Sequence, residues 1–401
     1  MKYLKTLNLK SNNIQLKLDH INKAENLETL ILSSMPLESV AGISKAENLR
    51  ELHLTDCGLN GTLRESGILD LSKLTKLFIS YNSFSGDVSE ILALPTLKQF
   101  YAYNNKLSEN LSSSFNEMVN LEELVLGENY ITGSIPTMPT GMKHLSLFSQ
   151  KSVSKIEGLL PDFAGLTHLT TLDLEGNRLQ GAIPDKFLQD STVTDESVVI
   201  QLSNNDLTGD IPEAVFDRFS KLNLGITGNK FTSIPESLCD SDKNAWMDGY
   251  VKVFRCAAIA CPPYTWSEDG RQDSESSPCQ SCPHMNNAFV GNNGCIQANQ
   301  ERQILMELFD SALGKFWSKK NGWGMTSEVP ICQWDGVQCG EGNESEEHGV
   351  IKLDLSGFQL DGDVPTSIYE LPVLADLNLR YNNDAMLSFK GIEKAKNLEG
   401  M

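Results

Sequence analysis

The chain has 401 residues, 40% hydrophobic and 21% charged, with a formal net charge of −20. That is enough apolar material for an extended core, and the acidity argues against nucleic acid or an anionic membrane as the main partner. No apolar run approaches the roughly 18–20 residues of a membrane-spanning helix; the best candidate, Val251–Ala260, is interrupted by Lys252 and Arg255.

From the first residues the chain repeats one phrase. Its clearest copy is Leu121–Pro136, LEELVLGENYITGSIP. Leu121, Leu124 and Leu126 have the alternation of a short strand whose apolar side chains enter one core. Asn129 follows, where a buried amide can satisfy backbone groups left open as the chain turns. Ile131 and Ile135 return to the core, Gly133 permits the bend, and Pro136 fixes φ. One unit cannot bury its apolar face alone, but a stack can.

Alignment on the Asn position places copies at Asn12, Met35, Cys57, Asn82, Asn105, Asn129, Gln150, Asn177, Asn205 and Asn229, in steps of 21–28 residues. Cys57 stands where Asn is usual and is expected to pack as a small hydrophobe. The Gly-x-φ-Pro ending recurs at Gly158–Pro161, Gly181–Pro184 and Gly209–Pro212, with looser forms at Gly61 and Gly86. Such endings predict short secondary strands or polyproline-like segments rather than long convex helices. Spacing and phrase together are those of the leucine-rich repeat, and the G-x-I-P ending resembles its plant-type class. The fold class expected is an α/β solenoid, a horseshoe with a parallel β-sheet on its concave face.

Strand positions between the leucines point onto that face. Read along the stack, they are Asn8, Ile31, His53, Phe78, Tyr101, Val125, Ser146, Asp173, Gln201 and Gly225, with Tyr103 and Phe148 in the neighbouring row. His53, Phe78, Tyr101, Tyr103, Val125 and Phe148 are the candidate ligand-binding residues, because exposed aromatic clusters mark binding sites. The competing explanation is rings that only stack on one another across strands.

After Ile234-Pro235 the repeats stop. Residues 237–298 carry Cys239, Cys256, Cys261, Cys279, Cys282 and Cys295 in a polar, Pro- and Ser-rich stretch, which predicts a disulfide framework. Six cysteines allow fifteen connectivities, and sequence does not choose among them. The alternative is a metal site with Cys279-x-x-Cys282 as one half and His284 as a stray ligand, but it lacks a second closely spaced pair. The C-P-P-x-T…C-x-x-C-P order resembles the cysteine-rich modules of ephrin-receptor-like type, with Tyr264 where glycine is usual. Its expected role is to cap the first array.

From about Gln300 the apolar residues Ile304, Leu305, Leu308, Phe309, Leu313 and Phe316 approach a helical period. CQWDGVQC then precedes Val350, Leu353 and Leu355. A helix, a Trp, C-x-W-x-G-V-x-C and a first repeat resemble the N-terminal cap of plant-type leucine-rich repeat proteins. That resemblance implies a Cys332–Cys339 disulfide. The phrase resumes around Phe358 and Asn382. The tail Ile392–Glu399 shares K-A-x-N-L-E with Ile21–Glu28, and Ile43–Leu49 has a related form. The expected division is a first array at 1–236 that begins without a cap, a cysteine-rich cap or linker at 237–298, a helical cap at 299–348, and a second array at 349–401. A chain that starts and ends inside arrays is expected to be a piece of a longer tandem protein.

No P-loop, H-E-x-x-H, G-x-S-x-G or kinase signature occurs, the six histidines are scattered, and no acidic pair stands apart. No cofactor or metal is expected, and no enzymatic activity. Sequons at Asn60, Asn110 and Asn343 are candidate glycosylation sites in turn regions. What the resemblance implies is extracellular recognition of a protein, peptide or polysaccharide on the concave face. Its variants are a membrane receptor ectodomain, an inhibitor of a wall-degrading enzyme, or a multivalent surface adhesin.

Overall fold

Leu7, Leu30, Leu52, Leu77, Phe100, Leu124, Leu145, Leu172, Ile200 and Leu224 stand side by side in one ten-stranded parallel sheet whose strand order follows the sequence. Parallel neighbours need a crossover, and the remainder of each repeat supplies it. The computed structural model describes the chain except residues 1–2, 15, 153–154, 194–195, 241, 244, 282–288, 294–295, 325–329, 341–348 and 396–401. Cys282, His284, Cys295, Asn343 and the end of the K-A-x-N-L-E tail therefore lie outside the described residues. The chain divides into two compact units, Met1–Cys279 with Phe289–Asn293, and Gln280–Ala288 with Gly294–Met401.

In the first unit the leucines of successive repeats form one continuous core. The asparagine position works as a ladder. Asn129 Nδ2 donates to Ala102 O at 2.9 Å and Leu126 O at 3.0 Å, while its Oδ1 accepts from Leu107 N at 3.0 Å. One side chain thus ties its own turn to the preceding repeat. Gln150 does the same with a longer arm, to Leu126 O, Leu147 O and Ile131 N, each at 3.0 Å. Cys57 is a buried free thiol whose Sγ donates to Leu32 O at 3.2 Å, so a weak donor replaces the amide.

The Gly-x-φ-Pro endings form short secondary strands. Asn60–Thr62, Ser83–Asp87, Lys106–Asn110 and Tyr130–Thr132 make one four-stranded sheet; Glu157–Leu159, Arg178–Gly181, Asp206–Asp210 and Lys230–Ser233 make another. Among the described residues a single bridge, Gly133 to Ile156, joins them. The interruption has a sequence cause: one residue separates Asn129 from its next core position Ile131, but five separate Gln150 from Ile156. In the next repeat the buried Asn177 Oδ1 has no hydrogen-bond partner among the described residues.

Beyond the last strand, the cysteine-rich segment lies on the end of the stack. Trp246 is buried and donates from Nε1 to Phe219 O at 2.7 Å; Met247, Val251, Ile259 and Val290 join the repeat core. Disulfides link Cys239 to Cys256 and Cys261 to Cys279. Cys279 is thereby taken from the alternative metal pair.

The second unit opens with the helix Ile296–Ser311. Phe309, Trp317, Trp323 and Trp334 pack ring against ring, with the Trp317–Trp323 and Trp323–Trp334 centroids each 5.0 Å apart. Cys332 and Cys339 are disulfide-bonded. Between them Gly336, at φ 79°, passes so close to Asp354 O that a Cβ would sit 2.3 Å away, which accounts for the glycine of the motif. Val337–Cys339 runs antiparallel to Val350–Asp354, which pairs in parallel with Asp376–Asn378. Buried Glu301 accepts Val350 N with both oxygens, at 3.0 and 3.1 Å, and burial pushes its carboxyl up. Asn382 restarts the ladder, bonding Leu355 O at 2.8 Å and Leu360 N at 3.1 Å.

Candidate functional site

In parallel pairing the residues read off as one row do stand in one row: His53, Phe78, Tyr101, Val125, Ser146, Asp173, Gln201 and Gly225 are register partners in succession. Lateral spacing of about 4.8 Å brings long side chains into contact. His53 stacks on Phe78 at 4.3 Å, Phe78 lies 5.1 Å from Tyr101, and Tyr101 meets the edge of His144 at 6.2 Å. In the second row Tyr103 stacks on Phe148 at 5.3 Å, and Tyr81 meets Tyr103 edge-on at 5.0 Å. All six named candidates lie on this face, but Val125 is only 8% exposed and serves as floor rather than surface.

Polar groups fix the rings. The Tyr101 hydroxyl donates to Glu123, whose other oxygen accepts Gln99 Nε2 at 2.9 Å. The Tyr103 hydroxyl donates to Glu128 at 2.9 Å, and Lys151 Nζ lies 3.6 Å from the same carboxylate. Burial, then the hydrogen bond and charge of the carboxylate, pushes both phenols above their ordinary range. His53 Nε2 sits 2.7 Å from Glu51. Burial holds the His144 imidazole below its ordinary range, with Glu123 opposing.

Farther along, the face changes character. Asp173 is pushed up to about 6, chiefly by burial, with the neighbouring Glu175 charge adding and hydrogen bonds from Glu175 N and Ser146 opposing. No acidic group had stood apart in the sequence, and this one does so only because of its surroundings. Tyr81 was also missed, since it falls one place outside the alternating rows. Gly127 was missed because an empty position between two rings carries no signal until the rings are placed. Asn60 and Asn110 are both exposed, Asn110 accepting from Thr132 Oγ1 at 2.7 Å.

The chemistry available is recognition. Aromatic faces, hydrogen-bonded phenols and carboxylates form a contact surface, and the disulfides among the described residues fit an oxidising compartment.

Comparison with known proteins agrees. Residues 168–189 match the family model described as Leucine Rich Repeat. The chain is 25% identical over 386 residues to Receptor-like protein 54 of Arabidopsis thaliana, covering 87% of this chain and 46% of that protein. It is 29% identical over 180 residues to lumican of Mus musculus, covering 44% of this chain and 49% of the relative. Over its whole length it superposes on 49% of the Arabidopsis receptor kinase HAESA repeat ectodomain, solved with an N-terminally extended IDA peptide hormone ligand, at TM-score 0.54 and 20% identity. It also superposes on 55% of a TDR receptor structure at TM-score 0.50 and 18% identity. The chain spans less than half the length of these curated relatives. Its repeats and the parallel sheet they build are those of a leucine-rich repeat solenoid, and the chain resembles the plant-type extracellular class.

Proposed function

We propose that this chain is an extracellular recognition module that binds a peptide or an extended segment of a protein along its concave face, without catalysis. The observation that carries this reading is the double row of half-buried rings at His53, Phe78, Tyr101, Tyr103 and Phe148, oriented by Glu51, Glu123 and Glu128. Aromatic groups held in place offer large contact area at small entropic cost, the composition of binding hot spots. The resemblance to receptor ectodomains, one of them solved with a peptide hormone, points the same way. Residues 1–236 serve as the reading array, closed by the cysteine-rich segment 237–298; residues 299–348 and 349–401 open a second array. Cys239, Cys256, Cys261, Cys279, Cys332 and Cys339 brace the two caps, and Asn60 and Asn110 are surface positions for glycans.

The test is to select peptides from a displayed random library on the immobilised chain and measure their affinity for the Phe78→Ala/Tyr101→Ala variant. Loss of two hot-spot rings predicts a fall of about a hundredfold or more, with the melting temperature within a few degrees of wild type. Unchanged affinity would sink the reading. A collapse in melting temperature would assign the rings to mutual packing instead.

A further inference from the structure

The second row continues past the rings as Glu175, Ser203 and Thr227, and there the face is no longer flat. The loop 268–271 of the cysteine-rich segment, together with Asn293, stands beside the last repeats and lines a half-open cavity of about 240 Å³. Its floor exists because Gly225 has no side chain: a Cβ there would lie 1.8 Å from Gln201 Oε1, so Gln201 rests across the glycine. Three carboxylates, Glu175, Glu268 and Asp269, line the cavity against one guanidinium, Arg271.

These acids differ from those among the rings. Glu51, Glu123 and Glu128 each have a partner in His53, Tyr101 or Lys151. Among the described residues, Glu175, Glu268 and Asp269 have no ion-pair partner, nor has Asp173 one strand back; Glu175 accepts only the Asn204 amide, at 3.1 Å. A cleft lined mainly by charge of one sign attracts an incoming cation.

Resting on the reading proposed above, we infer that this cavity is the anchor for a basic residue of the bound peptide, whose aromatic or apolar residue lies over Tyr103 and Phe148. The spacing follows from the sheet. Phe148 and Thr227 follow strands three ladder steps apart. Three steps of about 4.8 Å span roughly 14 Å, and an extended peptide crossing the strands covers that in about four residues. The ligand therefore carries a Lys or Arg three to five residues from an aromatic or large apolar residue. The loop 268–271 makes this subsite a joint product of the array and its disulfide-braced cap.

The experiment uses the whole chain and a displayed library of random dodecapeptides, with a neutral-oligosaccharide array alongside. Enriched peptides should combine an aromatic or apolar residue with Lys or Arg at that spacing. Changing the basic residue to Gln should weaken a selected peptide by about tenfold to a hundredfold, the range for a charge-assisted contact. Glu268→Gln/Asp269→Asn, at two exposed positions where folding is undisturbed, should cause most of the same loss, and should then make the Lys and Gln peptides nearly equal. Gly225→Val, which displaces Gln201, should also close the subsite. Enriched peptides that need the rings but show no basic residue would overturn this inference and leave the concave-face reading standing. Acidic enrichment would give the cavity to Arg271 and overturn it too, as would binding of oligosaccharides alone. Enrichment of nothing, or of peptides indifferent to Phe78 and Tyr101, would overturn both.

Discussion

Tyr103 and Phe148 follow strands two places apart in the sheet, yet their rings stack at 5.3 Å because Gly127 stands between them. A Cβ on Gly127 would fall 2.4 Å from the Phe148 ring. Phe148 lies over the missing side chain and reaches Tyr103, so the gap of about 9–10 Å between alternate strands closes.

Gly127→Leu should therefore swing Phe148 away without straining the backbone. Losing the stack should cost about 1 kcal/mol of stability. Affinity for selected peptides should fall at least tenfold. Denaturant titration and binding isotherms on the same preparation check the two numbers, and unchanged binding would show that the stack has no part in recognition.

The ladder amides should not be equivalent. Asn129→Ala leaves Leu107 N without an acceptor in the core and removes the donations to Ala102 O and Leu126 O, which keep Asn105 and Gln150 as donors; it should cost about 2–4 kcal/mol. Asn177→Ala also loses two donated bonds, but its Oδ1 already lacks a partner. It should be milder by about 1 kcal/mol or more. Equal denaturation midpoints for the two variants would contradict the ladder argument.

Asp173 gives a pH signature. Its carboxyl is raised from 3.8 to about 6, so the folded chain binds this proton more tightly than the unfolded chain. Its contribution to stability is thus present below pH 4 and lost as pH rises to about 6, opposite in sign to a salt-bridged Asp. Asp173→Asn removes that loss and should be more stable than wild type near pH 7 by roughly 1–3 kcal/mol, with the difference vanishing near pH 4. Ser146 and Glu175 are retained, so a difference independent of pH would mean that side-chain shape, not charge, is responsible.

Cys57 should be silent in the native chain. Burial pushes its thiol up, and no disulfide engages it. Iodoacetamide should modify it only in denaturant, as read by peptide mass mapping. Rapid labelling in native buffer would mean that the third repeat opens locally.

The sequence by itself determined the repeat, its register and the row of concave positions. Leu124, Asn129 and Gly133 recur at fixed places in one phrase, so local periodicity carries them. The bend at Gly133, at φ 77°, needs no knowledge of any other repeat. Only the tertiary structure decided what the concave side chains do together. Tyr81 against Tyr103, Phe148 over Gly127, and Gln201 over Gly225 all join residues more than twenty positions apart along the chain, brought within reach by the sheet. The same holds for Asp173, whose shifted proton is a property of its burial, and for Val125, which lies buried as floor rather than surface. The pairing of Cys239 with Cys256 and Cys261 with Cys279 likewise needed coordinates, because six sulfurs along a chain carry no geometry until the backbone brings them together.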